Sequence, residues 1–282
     1  LIPASNDKEQ AMFSLAGKVA VVTGGGRGIG KGISLALAQA GATVICTGRT
    51  AAPLEATAAL IREQGGRALA LVNDIAQPSA AQAIVDRALS EFGRLDIWVN
   101  NAGSAAREDV GPLIDLEEGQ WDRVVDLNLK WTFFAAQAAA RAMAAGGAII
   151  NITSRSGSQP NPMTGQYGAA KAGVDNLTGT MSVEWGHLGI RVNAIAPGLV
   201  LTEDNSEFMS GPRAQKQIDV VPLGRLGTPD DIGPLCVYLA SDEAAWISGV
   251  VIQANGASRI PFGYLAYLHK VAKAKHGAAA AS

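Results

Sequence analysis

Residues 19–32 read VAVVTGGGRGIGKG, and their reading decides the fold. An unbroken apolar run ends at Thr23, a glycine-dense turn follows, and ISLALAQAG (33–41) then carries a helical pattern. A strand apolar on both faces belongs inside a covered parallel sheet. A glycine turn feeding a helix N-terminus offers an anion backbone N–H donors and the positive end of the helix dipole. The spacing does not fit G-x-G-x-x-G, because Ile29 follows the pair Gly24 and Gly26, and Ile33 follows Gly28 and Gly30. It fits T-G-x-x-x-G-x-G at Thr23, Gly24, Gly28 and Gly30. GGRGIGKG (25–32) is one residue short of a P-loop, since Gly32 stands where a Ser or Thr must hold Mg²⁺. A turn that binds nothing is the other rival, and the conformational cost of so many glycines argues against it.

Similar apolar runs recur outward from this unit: TVICTG (43–48), ALALVND (68–74), LDIWVNN (95–101), AIINITS (148–154), RVNAIAPG (191–198) and GVVIQANG (249–256). With 19–24 they make seven, separated by helix-length segments. The fold class expected is α/β: a doubly wound, Rossmann-like, seven-stranded parallel sheet with helices on both faces, in a single domain. The segment 53–64 starts with Pro53 and stops before Gly65 and Gly66. The segment 79–92 has Ser79 as its expected N-cap and stops before Gly93. The domain is expected over 12–258, with a lid or substrate loop at about 199–228. Residues 1–11 read as a poorly ordered arm or an expression remnant, and 259–282 as a tail, partly helical. Within the tail, YLAYLHKVAKAK (264–275) has the pattern of a basic amphipathic helix, taken as a solvated terminal helix.

Composition narrows the function classes. The 282 residues are 48% hydrophobic and 17% charged, with a formal net charge of −2 and scattered basic residues, which excludes a nucleic-acid partner. Cys46 and Cys236 lie inside apolar runs, so neither a disulfide nor a metal site is expected, and the usage fits a reducing cytoplasm. No apolar stretch is long enough to span a membrane.

The end of the second strand bears on the cofactor. The 2′-hydroxyl of NAD is met by an acid about 20 residues beyond the glycines, whereas a 2′-phosphate needs a cation. Here CTGRT (46–50) supplies Arg49 and no carboxylate, and Arg27 stands in the glycine loop itself. Guanidinium grips phosphate through paired hydrogen bonds. NADP(H) is therefore favoured, with NAD(H) as the alternative.

QYGAAKAG (166–173) places Tyr167 and Lys171 four residues apart, on one face of a helix about one turn apart. Alone, such a pair is more often an ordinary amphipathic one. Together with the glycine loop, NNAG (100–103) and a serine after the fifth strand, it resembles the classical short-chain dehydrogenase/reductase family over residues 14–258. IINITSRSG (149–157) matches that family's strand-then-serine pattern at Ser154, thirteen residues before Tyr167, and DLNLK (126–130) matches the segment carrying its asparagine, Asn128. The resemblance implies a catalytic set of Asn128, Ser154, Tyr167 and Lys171. It implies a cofactor set of Gly24, Arg27, Gly28, Ile29 and Gly30 in the loop, Arg49, Asp74 and Ile75 beside the adenine, and Asn101, Ala102 and Gly103 at the ribose. Tyr167, Lys171 and the Pro197, Gly198 and Thr202 of APGLVLT (196–202) complete it. The family's usual V-D-G-G end to the last strand is replaced by Ala254, Asn255, Gly256 and Ala257, a departure expected to leave the chemistry untouched.

Reducing a ketone needs a hydride on carbon, which only a cofactor can give, and a proton on oxygen. Tyr167 is the expected proton donor. A phenol at its usual value near 10 needs about 4 kcal/mol of preference for phenolate to reach neutral pH. Lys171 is expected to supply part of that and, by resemblance, to bond the nicotinamide ribose; Ser154 holds the substrate oxygen, and Asn128 a water leading to Lys171. Gly168 and Gly173 are expected to give close helix packing and room for cofactor. The function expected is an NADP(H)-dependent oxidoreductase interconverting a ketone and a secondary alcohol, with a small-molecule substrate. The resemblance further implies a homotetramer, or a homodimer. The alternatives are a 3-oxoacyl-carrier-protein reductase, which the acids Glu203, Asp204 and Glu207 on the lid disfavour, and a non-catalytic NADP-binding sensor.

Overall fold

The computed structural model describes residues 12–206 and 211–258, so the expected arm at 1–11 and tail at 259–282 lie outside the described residues. Seven strands form one parallel sheet: β1 (Val19–Thr23), β2 (Thr43–Gly48), β3 (Arg67–Val72), β4 (Ile97–Asn100), β5 (Gly147–Ile152), β6 (Ile190–Pro197) and β7 (Val251–Ala254). Their order is β3-β2-β1-β4-β5-β6-β7. The chain runs outward from β1 to β3, then returns to β1's other side with β4, which opens a crevice beyond the carboxyl ends of β1 and β4. Ligands of open α/β sheets bind at such a switch point.

Side chains on successive strand residues point to opposite faces, so a sheet buried on both sides needs apolar residues at every position. Ala20 and Val22, Val44 and Cys46, Ile97 and Val99, and Ile150 and Ile152 pack on one face. They meet Ile33 and Leu37 of α1 (Gly28–Gln39), Ile61 of α2 (Ala51–Glu63) and Leu239 of α8 (Gly233–Ala240). Val19 and Val21, Ile45, Trp98, Ile149 and Val192 pack on the other. They meet Ile84 and Val85 of α3 (Ala80–Phe92), four alanines of α5 (Trp131–Ala142), and Met181 of α6 (Gly165–Trp185). Each fully buried Ile or Val contributes about 1.5–3 kcal/mol. Helices α4 (Glu118–Val125) and α7 (Gly211–Ile218) complete the set. Among the described residues no helix is long and apolar enough to cross a membrane. Both cysteines are buried and free, and burial pushes both thiols up, Cys46 to about 11.

Local expectations differ in three places. Ser79 stands at the N-cap position of α3 as expected, but its backbone is helical (φ −93°, ψ −3°) and its side chain makes no capping bond. Backbone turns from Asp74 to Gln77 and from Gln77 to Ala80 lead the chain into that helix instead. Helix α2 begins at Ala51, so Pro53 sits in its first turn, where its missing N–H removes no intrahelical bond. Asn128 lies in a π-helical turn, Asp126–Lys130, between α4 and α5 rather than in an α-helix interior.

Candidate active site

A continuous cavity of about 1290 Å³ opens at the switch point. Of the site residues expected from sequence, all but Asn128 line it: Gly24, Arg27, Gly28, Ile29, Gly30, Arg49, Asp74, Ile75, Asn101, Ala102, Gly103, Ser154, Tyr167, Lys171, Pro197, Gly198 and Thr202. The glycine loop and the ends of β2 and β3 form one end. The end of β5 and the first turns of α6 form the other.

Uncharged side chains tie the glycine loop to the end of β4. The Thr23 hydroxyl is buried, donates to the Val99 carbonyl at 3.2 Å, and accepts from the Asn101 and Ala102 N–H groups, both at 2.9 Å. Asn101 Nδ2 returns a bond to the Thr23 carbonyl at 2.9 Å. The side chain of Asn101 therefore pins the loop, and its part in facing a ribose falls to its exposed atoms alone. A Cβ on Gly30 would overlap the Gly24 carbonyl oxygen and lie 2.5 Å from Asn101 Nδ2, so α1 approaches the loop this closely only with glycine there. Thr23→Val is expected to cost about 1 kcal/mol by leaving two half-buried N–H groups without their acceptor, read as a lower midpoint in chemical denaturation. An unchanged midpoint would show that the clasp contributes nothing.

At the other end, Ser154 ends the fifth strand's segment and its Oγ accepts from the Ser156 N–H at 3.1 Å, which fixes the hydroxyl at the cavity floor. Tyr167 and Lys171 share a face of α6. The Lys171 ammonium lies 5.6 Å from the centre of the Tyr167 ring and donates to the Ile152 carbonyl at 3.0 Å. Burial pushes the Tyr167 phenol above its ordinary value, and hydrogen bonding with Ser154 opposes that only in part. Burial likewise pushes Lys171 down to about 8, against Coulombic support from Asp175 one turn further on. Burial thus shifts both groups towards their uncharged forms.

Asn128 sits behind the cavity wall, fully buried. Its amide nitrogen donates to the Ser104 carbonyl at 2.8 Å and the Val124 carbonyl at 2.9 Å, while Oδ1 is buried without a partner. A Cβ on Gly103 would stand 2.5 Å from that oxygen and 3.2 Å from Lys171 Nζ, so glycine there leaves the space between the two open. The π turn is what aims Asn128 inward, because the extra residue rotates the helix face at that point.

Several supporting residues escape a reading of motifs. Asn100 Nδ2 donates to Asn151 Oδ1 at 2.9 Å, and Asn151 Nδ2 to Thr178 Oγ1 at 2.9 Å, a buried chain from β4 through β5 to α6. Polar residues inside apolar strand runs are the signal that could have found it. Gly168 and Gly173 serve packing alone: added Cβ atoms would meet the Ser156 carbonyl and the Leu129 side chain, and neither glycine lines the cavity. The departure at 254–257 lies outside the cavity lining but packs next to it. Asn255 lies against Gly198, and Ser258 accepts from Arg155 and Gln159. Arg155 and Asn161 line the cavity; Gln166 is buried behind it and ties the Asp109 carbonyl to the start of α6 at 2.6 Å. Asp109, itself buried, pairs with Arg123 at 2.7 Å, and both border the cavity with Ser104 and Thr164.

Comparison with known proteins shows the family. The family model described as enoyl-(acyl carrier protein) reductase matches residues 24–257. A 2-dehydro-3-deoxy-D-gluconate 5-dehydrogenase of Escherichia coli is 41% identical over 249 residues, 86% of this chain and 96% of that protein. A D-threitol dehydrogenase of Mycolicibacterium smegmatis is 38% identical over 250 residues, covering 88% of this chain and 95% of the relative. Among solved structures, a protein of Agrobacterium tumefaciens provisionally assigned as a 2-deoxy-D-gluconate 3-dehydrogenase, with bound NADP, superposes with a TM-score of 0.80 at 37% identity, over 88% of this chain and 99% of that one.

Proposed function

The chain belongs to the short-chain dehydrogenase/reductase family, an oxidoreductase acting on CH–OH groups, and from that premise we propose that it interconverts a ketone and a secondary alcohol with NADP(H). The observation that carries the proposal is one cavity with Ser154, Tyr167 and Lys171 at one end and the glycine loop with Arg27 and Arg49 at the other. The donor set fits a dinucleotide: backbone N–H groups at the start of α1, two guanidinium groups, and no carboxylate at the end of β2.

The bound nicotinamide supplies the hydride. Ser154 orients the substrate oxygen, and Tyr167 gives or takes the proton at that oxygen. Lys171, seated on the Ile152 carbonyl, holds positive charge beneath the ring. Asn128 Oδ1, lacking any protein partner, is the acceptor for a water leading protons to Lys171.

The substrate end is bordered by Ser104, Asp109, Arg123, Ser154, Asn161 and Thr164, which suits a hydroxyl-bearing, sugar-like carbonyl better than an acyl thioester. The relatives named for gluconate and threitol substrates support the same class. A panel of keto-sugars, simple ketones and an acyl-carrier thioester, each with NADPH and NADH, tests it: exclusive turnover of the thioester would overturn the substrate class. Arg49→Asp is expected to weaken NADPH at least about tenfold, through loss of a phosphate partner and gain of a repulsive charge, while leaving NADH within about threefold. Equal loss for both cofactors would remove Arg49 from the 2′-phosphate. We extend the family's homotetrameric assembly and cytoplasmic setting to this chain on the same premise, and light scattering of the purified protein tests the former.

A further inference from the structure

The loop that follows β6 brings two carboxylates to the start of α1. Glu203 accepts from the Gly28 N–H at 3.1 Å and lies 3.4 Å from Lys31 Nζ. Asp204 lies 3.4 Å from Arg27 Nη1. The Asn205 side chain also sets the loop, apart from these charges. Asn205 accepts from the Thr202 N–H at 2.8 Å and donates to the Val200 carbonyl at 2.8 Å, which keeps Asp204 beside the glycine loop. Both Arg27 and Asp204 border the cavity, as does Arg49. Arg27 is therefore a shared group: the guanidinium assigned to the 2′-phosphate is already paired with an acid from the lid.

We propose that Asp204 sets the preference between the two nicotinamide cofactors, by competing with the 2′-phosphate for Arg27. The inference rests on the NADP reading above and adds to it a residue that limits the preference. NADPH must draw Arg27 away from Asp204, whereas NADH has no group that calls for it, so the acid lowers affinity for one cofactor only. The two side chains are 57% and 61% exposed, and an exposed ion pair is weak, so the competition is worth a factor of about three to five in affinity.

Calorimetric dissociation constants for NADPH and NADH, taken on the full chain, on Asp204→Asn, on Arg27→Ala and on the double variant, decide it. Asp204→Asn is expected to tighten NADPH about three- to fivefold and to change NADH less than about twofold, and the gain is expected to vanish when Arg27 is absent. Equal tightening of both cofactors, or a gain that survives in the Arg27→Ala background, would show that Asp204 acts as bulk charge and overturn the proposal. A parent protein that prefers NADPH, with no change in Asp204→Asn, overturns the proposal and leaves the NADP reading standing. A parent protein that binds both cofactors alike overturns both.

Discussion

Tyr167→Phe is expected to lower kcat about a thousandfold or more while leaving NADPH affinity within about threefold. The substitution removes one oxygen and keeps the ring that covers Lys171, so the packing of α6 is preserved. What it removes is the hydroxyl that hydrogen-bonds with Ser154. Burial already holds the phenol above its ordinary value in the protein alone, which is the wrong direction for a base. Lys171 is pushed down to about 8 by the same burial. On the proposed mechanism Tyr167 acts at the substrate oxygen, so the loss in the variant should appear in kcat rather than in cofactor binding. NADPH consumption equal to that of the unmodified chain, with any ketone it turns over, would refute the mechanism.

Gly30→Ala is the second large effect. The added methyl group has backbone on its far side, the Gly24 carbonyl, and Asn101 Nδ2 2.5 Å away, so no side-chain rotation relieves it. Either α1 moves off the loop or the loop gives up its bonds to Thr23 and Asn101. Overpacking of this kind costs about 1–3 kcal/mol, or a fall of about 2–10 °C in Tm for a domain of this size. The N–H groups at the start of α1 would no longer converge on one anion, and NADPH affinity is expected to fall at least about a hundredfold. Thermal scans with and without NADPH separate the two effects: the variant should lose the cofactor's stabilisation as well as intrinsic stability. Full retention of the NADPH-induced rise in Tm would mean that the close approach of α1 to the loop is not what binds phosphate.

The catalytic pair was legible because a helix repeats locally. Tyr167 and Lys171 must share a face whenever residues 165–185 are helical, and nothing elsewhere in the chain alters that. The glycine loop was legible for a similar reason, since its strand, turn and helix are contiguous. Ser79 holds the N-cap position that the sequence indicates but makes no capping bond, because a capping serine is only one way to satisfy the first N–H groups of a helix, and here backbone turns from Asp74 and Gln77 precede it. The departure at Asn255 and Ala257 read as remote because distance along the chain was taken for distance in space. Strand β7 lies beside β6, which carries residues 255–258 back against Gly198 and Arg155.

The sequence by itself determined the seven-stranded α/β class, the phosphate loop and the helical Tyr-Lys pair, because each depends on periodicity and neighbours within a few turns of chain. Only the tertiary structure decided what those groups meet. It turned Asn128 inward on a π turn, set its oxygen and Lys171 beside Gly103, and desolvated the tyrosine and lysine more than Ser154 and Asp175 compensate. It also paired Arg27 with Asp204, 177 residues further along the chain. The reason is physical: charge effects depend on burial and on the distance between atoms, and both are fixed only when separate strands and helices pack together.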